Sequence, residues 1–206
     1  MSMSISYEKS GRRNQKARTR AALVSATRDL LEEGTTPTVE EAATAASISR
    51  ATAYRYFRNQ QALLVAAHPE VETTSLMGAD ASDDPAERLD RAVVGLAEII
   101  IEAEPSYRTM LRLSLEDDAE DRGELALRRG RRYLWLEDAL APLQARLRPD
   151  EWARLVHGVA AVAGIEALVT LVDLGKLSRE RALDVMRWAA QALLEAALAE
   201  ADEVGA

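Results

Sequence analysis

Nothing along this chain alternates apolar and polar residues with the period of two that a half-buried strand requires, whereas apolar spacing of three and four residues recurs from Asn14 to Ala201. The predicted fold is therefore all-α, with about nine helices. Helical periodicity begins near Asn14, with Leu23, Ala26, Leu30 and Leu31 on one face, and Gly34 closes that helix. Thr38-Val39-Glu40-Glu41 has the spacing at which a threonine and a glutamate cap each other's backbone amides, and opens a short second helix ending near Ala45. Ala46-Ser47-Ile48 is a turn, Ser49 caps a third helix to about Phe57, and Asn59 caps a fourth running towards His68-Pro69. Five longer helices follow, near Pro85–Ala103, Pro105–Leu115, Arg122–Ala141, Pro149–Leu174 and Ser178–Ala201, punctuated by Pro105, Pro142, Pro149 and Gly175.

The residues divide into a tail over 1–13, expected to be disordered and basic, a head over 14–66 and a body over 67–206, with the polar stretch Glu70–Asp84 as a linker or frayed helix end. Charge follows the same division. Residues 1–66 hold ten Lys and Arg against six Asp and Glu, net +4, while the other 140 residues hold 16 against 28, net −12. A basic head on an acidic body turns one end of a molecule towards a polyanion and the other away. A chain that is 48% hydrophobic and 29% charged folds rather than staying disordered. With no cysteine, disulfides and cysteine-based metal sites are excluded, and a reducing cytoplasm is the expected location. Met1–Arg13 does not resemble a secretory signal, and the longest apolar run, Val159–Val172, is interrupted by Glu166 and too short for a bilayer, so no membrane partner is expected.

Two short helices joined by a tight turn, the second entered through a capping serine, have the geometry that inserts a recognition helix into the major groove. The stretch Ser49-Arg50-Ala51-Thr52-Ala53-Tyr54-Arg55-Tyr56-Phe57-Arg58-Asn59-Gln60-Gln61-Ala62-Leu63-Leu64, with its T-x-x-Y-x-Y-F core, resembles the recognition helix and following helix of the tetracycline-repressor family. The resemblance implies a three-helix helix-turn-helix head on a C-terminal helical bundle, and a homodimeric repressor that a small molecule of unknown identity releases from near-palindromic duplex DNA. Expected DNA contacts are Arg18, Thr38, Ser49, Arg50, Ala51, Thr52, Tyr54, Arg55, Tyr56 and Gln60. Physically, Arg50 suits bidentate bonding to guanine. Ser49 and the first-turn amides suit a phosphate. Thr52 and Tyr54 offer hydroxyls to phosphate oxygens, and Arg55 and Tyr56 reach base edges or backbone. Ile48, Ala53 and Phe57 form the inner face, expected against Leu30 and Leu31. The basic run Arg12, Arg13, Lys16, Arg18, Arg20 either flanks the groove or solubilises the tail. Three positions depart from the family pattern: Ser47 replaces a frequent turn glycine, Ala53 a common leucine and Gln60 a common lysine.

In the body only helical organisation and length match that family. Candidate effector contacts are Tyr107, Met110, Trp135, His157 and Glu166, with Trp152 and Tyr133 beside them. Glu166 is the sharpest, because an unpaired carboxylate inside an apolar segment is costly, leaving pairing with an arginine, exposure at an edge or contact with a ligand. Arg128, Arg129, Arg131 and Arg132 suggest a solvated face or salt bridges. The last helix carries two stripes, Leu183, Met186, Ala190, Leu193 and Ala197 for the subunit's own core, and Ala182, Val185, Ala189, Ala192, Ala196 and Ala199 for a partner helix.

An enzyme is disfavoured. The two histidines, His68 and His157, lie far apart, and no H-E-x-x-H, G-x-S-x-G or phosphate-binding glycine loop occurs, so no catalytic residue, metal or cofactor is expected. The acidic cluster Glu116–Asp121 lacks Ca²⁺-loop spacing and reads as a solvated loop. The competing reading is a helical interaction or ligand-binding protein that does not bind DNA.

Overall fold

The structure, a computed structural model, describes the backbone of residues 3–67, 73–116 and 126–205 and the side chains of 14–67, 73–115 and 131–203. Among these residues the protein is all helical, with ten α-helices and no strand. It forms two compact units, Met1–Val71 and Glu72–Ala206. The acidic cluster after Glu116, and the side chains of Arg12, Arg13, Arg128 and Arg129, lie outside the described residues.

The head consists of α1 (Met3–Glu32), α2 (Val39–Ala45), α3 (Arg50–Tyr54) and α4 (Gln60–Ala67). α1 starts at Met3, so it takes in residues expected to form a tail. No proline interrupts that stretch, and Gly11 alone is a weak break in a helix already nucleated downstream. Gly34 takes φ +80°, its amide bonding to Leu31 O at 2.9 Å and that of Thr35 to Leu30 O at 2.8 Å, the left-handed C′ closure that only glycine adopts without strain. Leu23, Val39, Ala42, Ala43, Ala53, Phe57 and Leu63 make the core, with Ile48 and Tyr56 packed on its margin. Ala53 and Phe57 thus share their core with Leu23, while Leu30 and Leu31 are half-buried outside it. α4 ends at the buried Ala67, whose carbonyl accepts from Arg28 Nε at 2.8 Å, so the head extends past residue 66.

In the body α5 (Pro85–Glu102), α7 (Ala126–Leu140), α8 (Pro149–Val162) and α10 (Arg179–Gly205) pack as a bundle, with α6 (Glu104–Glu116) and the short α9 (Ile165–Val169) beside it. Asp84 and Pro85 open α5 as their order requires, Asp84 Oδ1 accepting from the Ala86 amide at 2.9 Å. Leu89, Ile100, Leu136, Leu140, Ile165 and Leu194 are fully buried. The helix expected over Pro149–Leu174 is instead broken at Ala163-Gly164 and ends in a π-helical turn, Thr170–Leu174. Arg132 causes the break to hold. Its Nη1 donates to Ala160 O at 3.0 Å, satisfying a carbonyl of the last turn of α8, and its Nη2 donates to Glu166 Oε2 at 3.0 Å. A Cβ on Gly164 would lie 2.4 Å from both Arg132 Nη1 and Glu166 Oε2. Among the described residues no single helix is long and apolar enough to cross a membrane.

α10 is rotated relative to expectation. Its buried stripe is Ala182, Met186, Ala190, Leu194 and Ala197, with Leu183 and Leu193 only half-buried. Arg187 grips Asp90 of α5 through two bonds of 2.7 and 2.8 Å, Gln191 Nε2 donates to Ala86 O at 2.8 Å, and Leu193 lies over Gly158 of α8. Those side contacts fix the angle about the helix axis and bring Ala182 inward.

Candidate nucleic-acid interface

The turn before α3 is fixed by two caps and one strained residue. Thr38 and Glu41 form the expected capping box: Thr38 N donates to Glu41 Oε2 at 2.8 Å and Glu41 N to Thr38 Oγ1 at 3.2 Å. The backbone hydrogen bond from Thr38 holds the Glu41 carboxyl below its usual range. α2 ends in Ser47 at φ +55°, with Ser47 N bonded to Thr44 O and Ile48 N to Ala43 O at 3.1 and 2.8 Å. The serine therefore adopts the left-handed conformation that a glycine would take without strain. Ser49 then caps α3, accepting from Thr52 N at 3.3 Å while its hydroxyl donates to Thr52 Oγ1 at 2.9 Å.

This arrangement presents Arg50, Ala51, Tyr54 and Arg55 to solvent, with Thr52 half-buried behind them. Arg18 is exposed on α1. Three of the expected contacts are engaged within the head instead. Gln60 Nε2 donates to Pro37 O at 3.0 Å and Thr36 O at 3.4 Å, tying α4 to the loop before α2. Thr38 is spent on the cap, and Tyr56 packs against the core. Arg20, outside the expected set, stacks on Phe57 with Cζ 5.3 Å from the ring centroid. The residue that the sequence did not single out is Glu40. Its Oε1 accepts from Arg50 Nη2 at 2.7 Å and from the Tyr54 hydroxyl at 3.1 Å, and Arg50 Cζ lies 5.7 Å from the Tyr54 ring centroid.

The five body residues expected around an effector are not brought together. Tyr107, Met110 and Trp135 are buried in the interior, the Trp135 Nε1 donating to Thr73 O at 3.2 Å. His157 is exposed on α8, its Nδ1 2.5 Å from Ala153 O and its ring edge-on to Tyr133. Glu166 is half exposed and paired with Arg132, because the break before α9 carries it out of the apolar interior. It borders an open groove of about 320 Å³ between the α8–α9 segment and α10, lined by Thr170 and otherwise by apolar side chains such as Leu171, Val185 and Ala189. Among the described residues no group of acidic or histidine side chains is placed to hold a metal.

Residues 23–67, from the middle of α1 to the end of α4, match the family model of the bacterial regulatory proteins of the tetR family. No curated protein and no solved structure matches the chain. The matched residues are those that build the two caps, the left-handed turn and the solvent-facing side of α3, and over them the chain has the DNA-binding head of the bacterial regulatory proteins of the tetR family.

Proposed function

We propose that the chain is a homodimeric repressor that reads a near-palindromic duplex through α3 and is released from it by a small molecule bound in the body. The observation that carries the DNA-reading part is the presentation of Arg50, Tyr54 and Arg55 on the exposed side of a recognition helix whose entry is rigidly capped. Arg50 reads guanine, Thr52 and Arg55 set register on phosphates, and Arg18 adds a flanking phosphate contact. Electrophoretic shift with duplexes selected by the protein from a randomised pool tests this. Arg50→Ala costs about 1–3 kcal/mol on the selected duplex and relaxes its base preference. Unchanged affinity and preference would remove Arg50 from the reading role, and a failure to retain any duplex would favour the reading without DNA binding.

Dimerisation is supported by the face that α10 and α9 leave uncovered. Trp188 is 73% exposed and shares a surface depression with Leu177 and Val185, and Val185 also lines the groove at Ala189. A contiguous apolar surface of this kind on a soluble bundle marks an interface. Two α-helical segments per subunit then meet in a four-helix contact, and the two-fold axis repeats α3 across the duplex.

Effector release draws its support from α6, which points Tyr107 and Met110 into the interior while its first turn is tied by ion pairs to the segment Asp173–Arg179. A ligand entering beneath α6 meets these two side chains. To release DNA it must bind the DNA-incompetent conformation more tightly, since equal affinity for both shifts nothing. A thermal-shift screen of small molecules, followed by DNA release with the hits, tests this; hits whose binding is insensitive to Met110→Ala would place the site elsewhere.

A further inference from the structure

We propose that Glu40 is the residue that makes Arg50 selective for a base edge over a phosphate, an inference that rests on the reading of α3 as the recognition helix. Glu40 sits in the first turn of α2, outside the recognition helix, yet a single carboxylate oxygen takes both the Arg50 guanidinium at 2.7 Å and the Tyr54 hydroxyl at 3.1 Å. The stacking of Arg50 on Tyr54 closes the triangle. Ala42, Ala43 and Ala53 are buried between the two helices and fix their spacing, so the Glu40 and Arg50 side chains start from backbone positions that stay within reach of each other.

The consequence follows from charge. A free arginine on a recognition helix pairs with any phosphate, and that pairing carries no sequence information. Here a phosphate that takes Arg50 comes to lie beside the Glu40 carboxylate, two like charges with a single cation between them. A guanine edge makes no such demand. Its O6 and N7 are uncharged acceptors, and a guanidinium with five N–H donors gives one to Glu40 and still presents a fork to the base. Glu40 therefore lowers affinity for arbitrary duplex while leaving the guanine contact, and it holds the Arg50 side chain in one place before binding. Its other role, as an acid in the first turn of a helix, is already duplicated by Glu41.

The test uses the full chain, wild type and Glu40→Gln, against a duplex that the wild type selects from a randomised pool and a scrambled duplex of equal length, titrated at several salt concentrations. Glu40→Gln binds the scrambled duplex about fivefold tighter, with a steeper dependence on salt by about one counterion per head, while affinity for the selected duplex stays level or falls. The ratio between the two falls about fivefold or more. Because Glu40 acts through Arg50, the same change made on an Arg50→Ala background moves the ratio far less. Equal tightening on both duplexes, or an undiminished effect without Arg50, overturns the proposal. So does unchanged selectivity in a Glu40→Gln protein that melts like wild type. A wild type that binds no duplex sinks the recognition-helix reading itself, an outcome distinct from wild-type selectivity that Glu40→Gln leaves intact.

Discussion

Arg132 bridges a break in the chain to Glu166: one guanidinium nitrogen closes the end of α8 at Ala160 O and the other holds the Glu166 carboxylate at the start of α9, both at 3.0 Å. Gly164 lies beneath this bridge, where a Cβ would meet the ends of the Arg132 and Glu166 side chains at 2.4 Å and oblige them to move. Gly164→Ala therefore displaces the arginine and frees a helix-end carbonyl, with an expected cost of about 1–2 kcal/mol. In a body of this size that lowers the melting temperature by roughly 2–8 °C. On an Arg132→Ala background the same substitution should cost almost nothing more, which denaturation of the two single variants and the double variant measures. Additive losses would mean that Gly164 matters for a reason other than the bridge.

Ser47 sits at φ +55° with an exposed side chain, in a place where an L-residue is strained and glycine is not. Ser47→Gly should stabilise the head by about 0.5–1 kcal/mol without altering DNA affinity, because the turn keeps its shape. Chemical denaturation followed on the head checks this, and a loss of stability would show that the serine hydroxyl contributes more than the backbone strain costs.

Glu104 is buried at the first turn of α6 between two arginines, Arg108 Nε at 2.7 Å from Oε1 and Arg179 Nε at 2.7 Å from Oε2, and Arg108 also holds Asp173 through two bonds of 2.6 and 2.8 Å. Burial alone would raise the Glu104 carboxyl, but the hydrogen bonds from Arg179 and Arg108 outweigh it and the carboxyl ends below its usual range; the hydrogen bond from Arg108 lowers that of Asp173. A depressed folded-state value means that the stabilisation is complete above the unfolded value, near pH 4, and is lost as pH falls through the folded value. Glu104→Gln should cost about 1–3 kcal/mol at neutral pH, and the gap from wild type should close on acidification below about pH 4. A gap that stays constant with pH would remove the ionised pair as its source.

How much of this was legible in the sequence depends on the range of the interaction that decides each feature. The Thr38 and Ser49 caps, the Gly34 closure and the Asp84-Pro85 start are set by residues close in sequence, and each is found where the spacing predicts it. The break at Ala163-Gly164 escaped because apolar periodicity runs straight through it, while the group that stabilises it, Arg132, comes from 28 residues before Ala160. Glu40 escaped for the same reason. Its pairing with Arg50 and Tyr54 depends on the angle between α2 and α3, which no single-helix pattern encodes. The bonds from Gln60 to the carbonyls of Thr36 and Pro37 likewise join residues 24 and 23 positions apart. In α10 the alanine-rich sequence offers several stripes of nearly equal hydrophobicity, and contacts from α5 and α8 choose among them.

That choice determines the oligomer test. With Ala182 turned inward, the outward face of α10 runs through Val185, Trp188, Ala189 and Ala192 to the exposed Ala196. Trp188 has no comparable cover within its own subunit, and tryptophan is the side chain whose burial contributes most at interfaces. Against a second copy, the groove of about 320 Å³ beside Leu171 and Val185 accepts a side chain of the opposing α10 while the small residues let the backbones approach. Sedimentation of the wild type at micromolar concentration should give a dimer. Trp188→Ala should weaken it by about 2 kcal/mol or more, roughly thirtyfold in dissociation constant. Ala189→Arg, which introduces a charge into the middle of the contact, should leave a folded monomer whose affinity for a two-half-site duplex falls while its affinity for a single half-site is unchanged. A monomeric wild type removes the dimer, and dimers that survive both substitutions mean that the subunits meet on a face other than this side of α10.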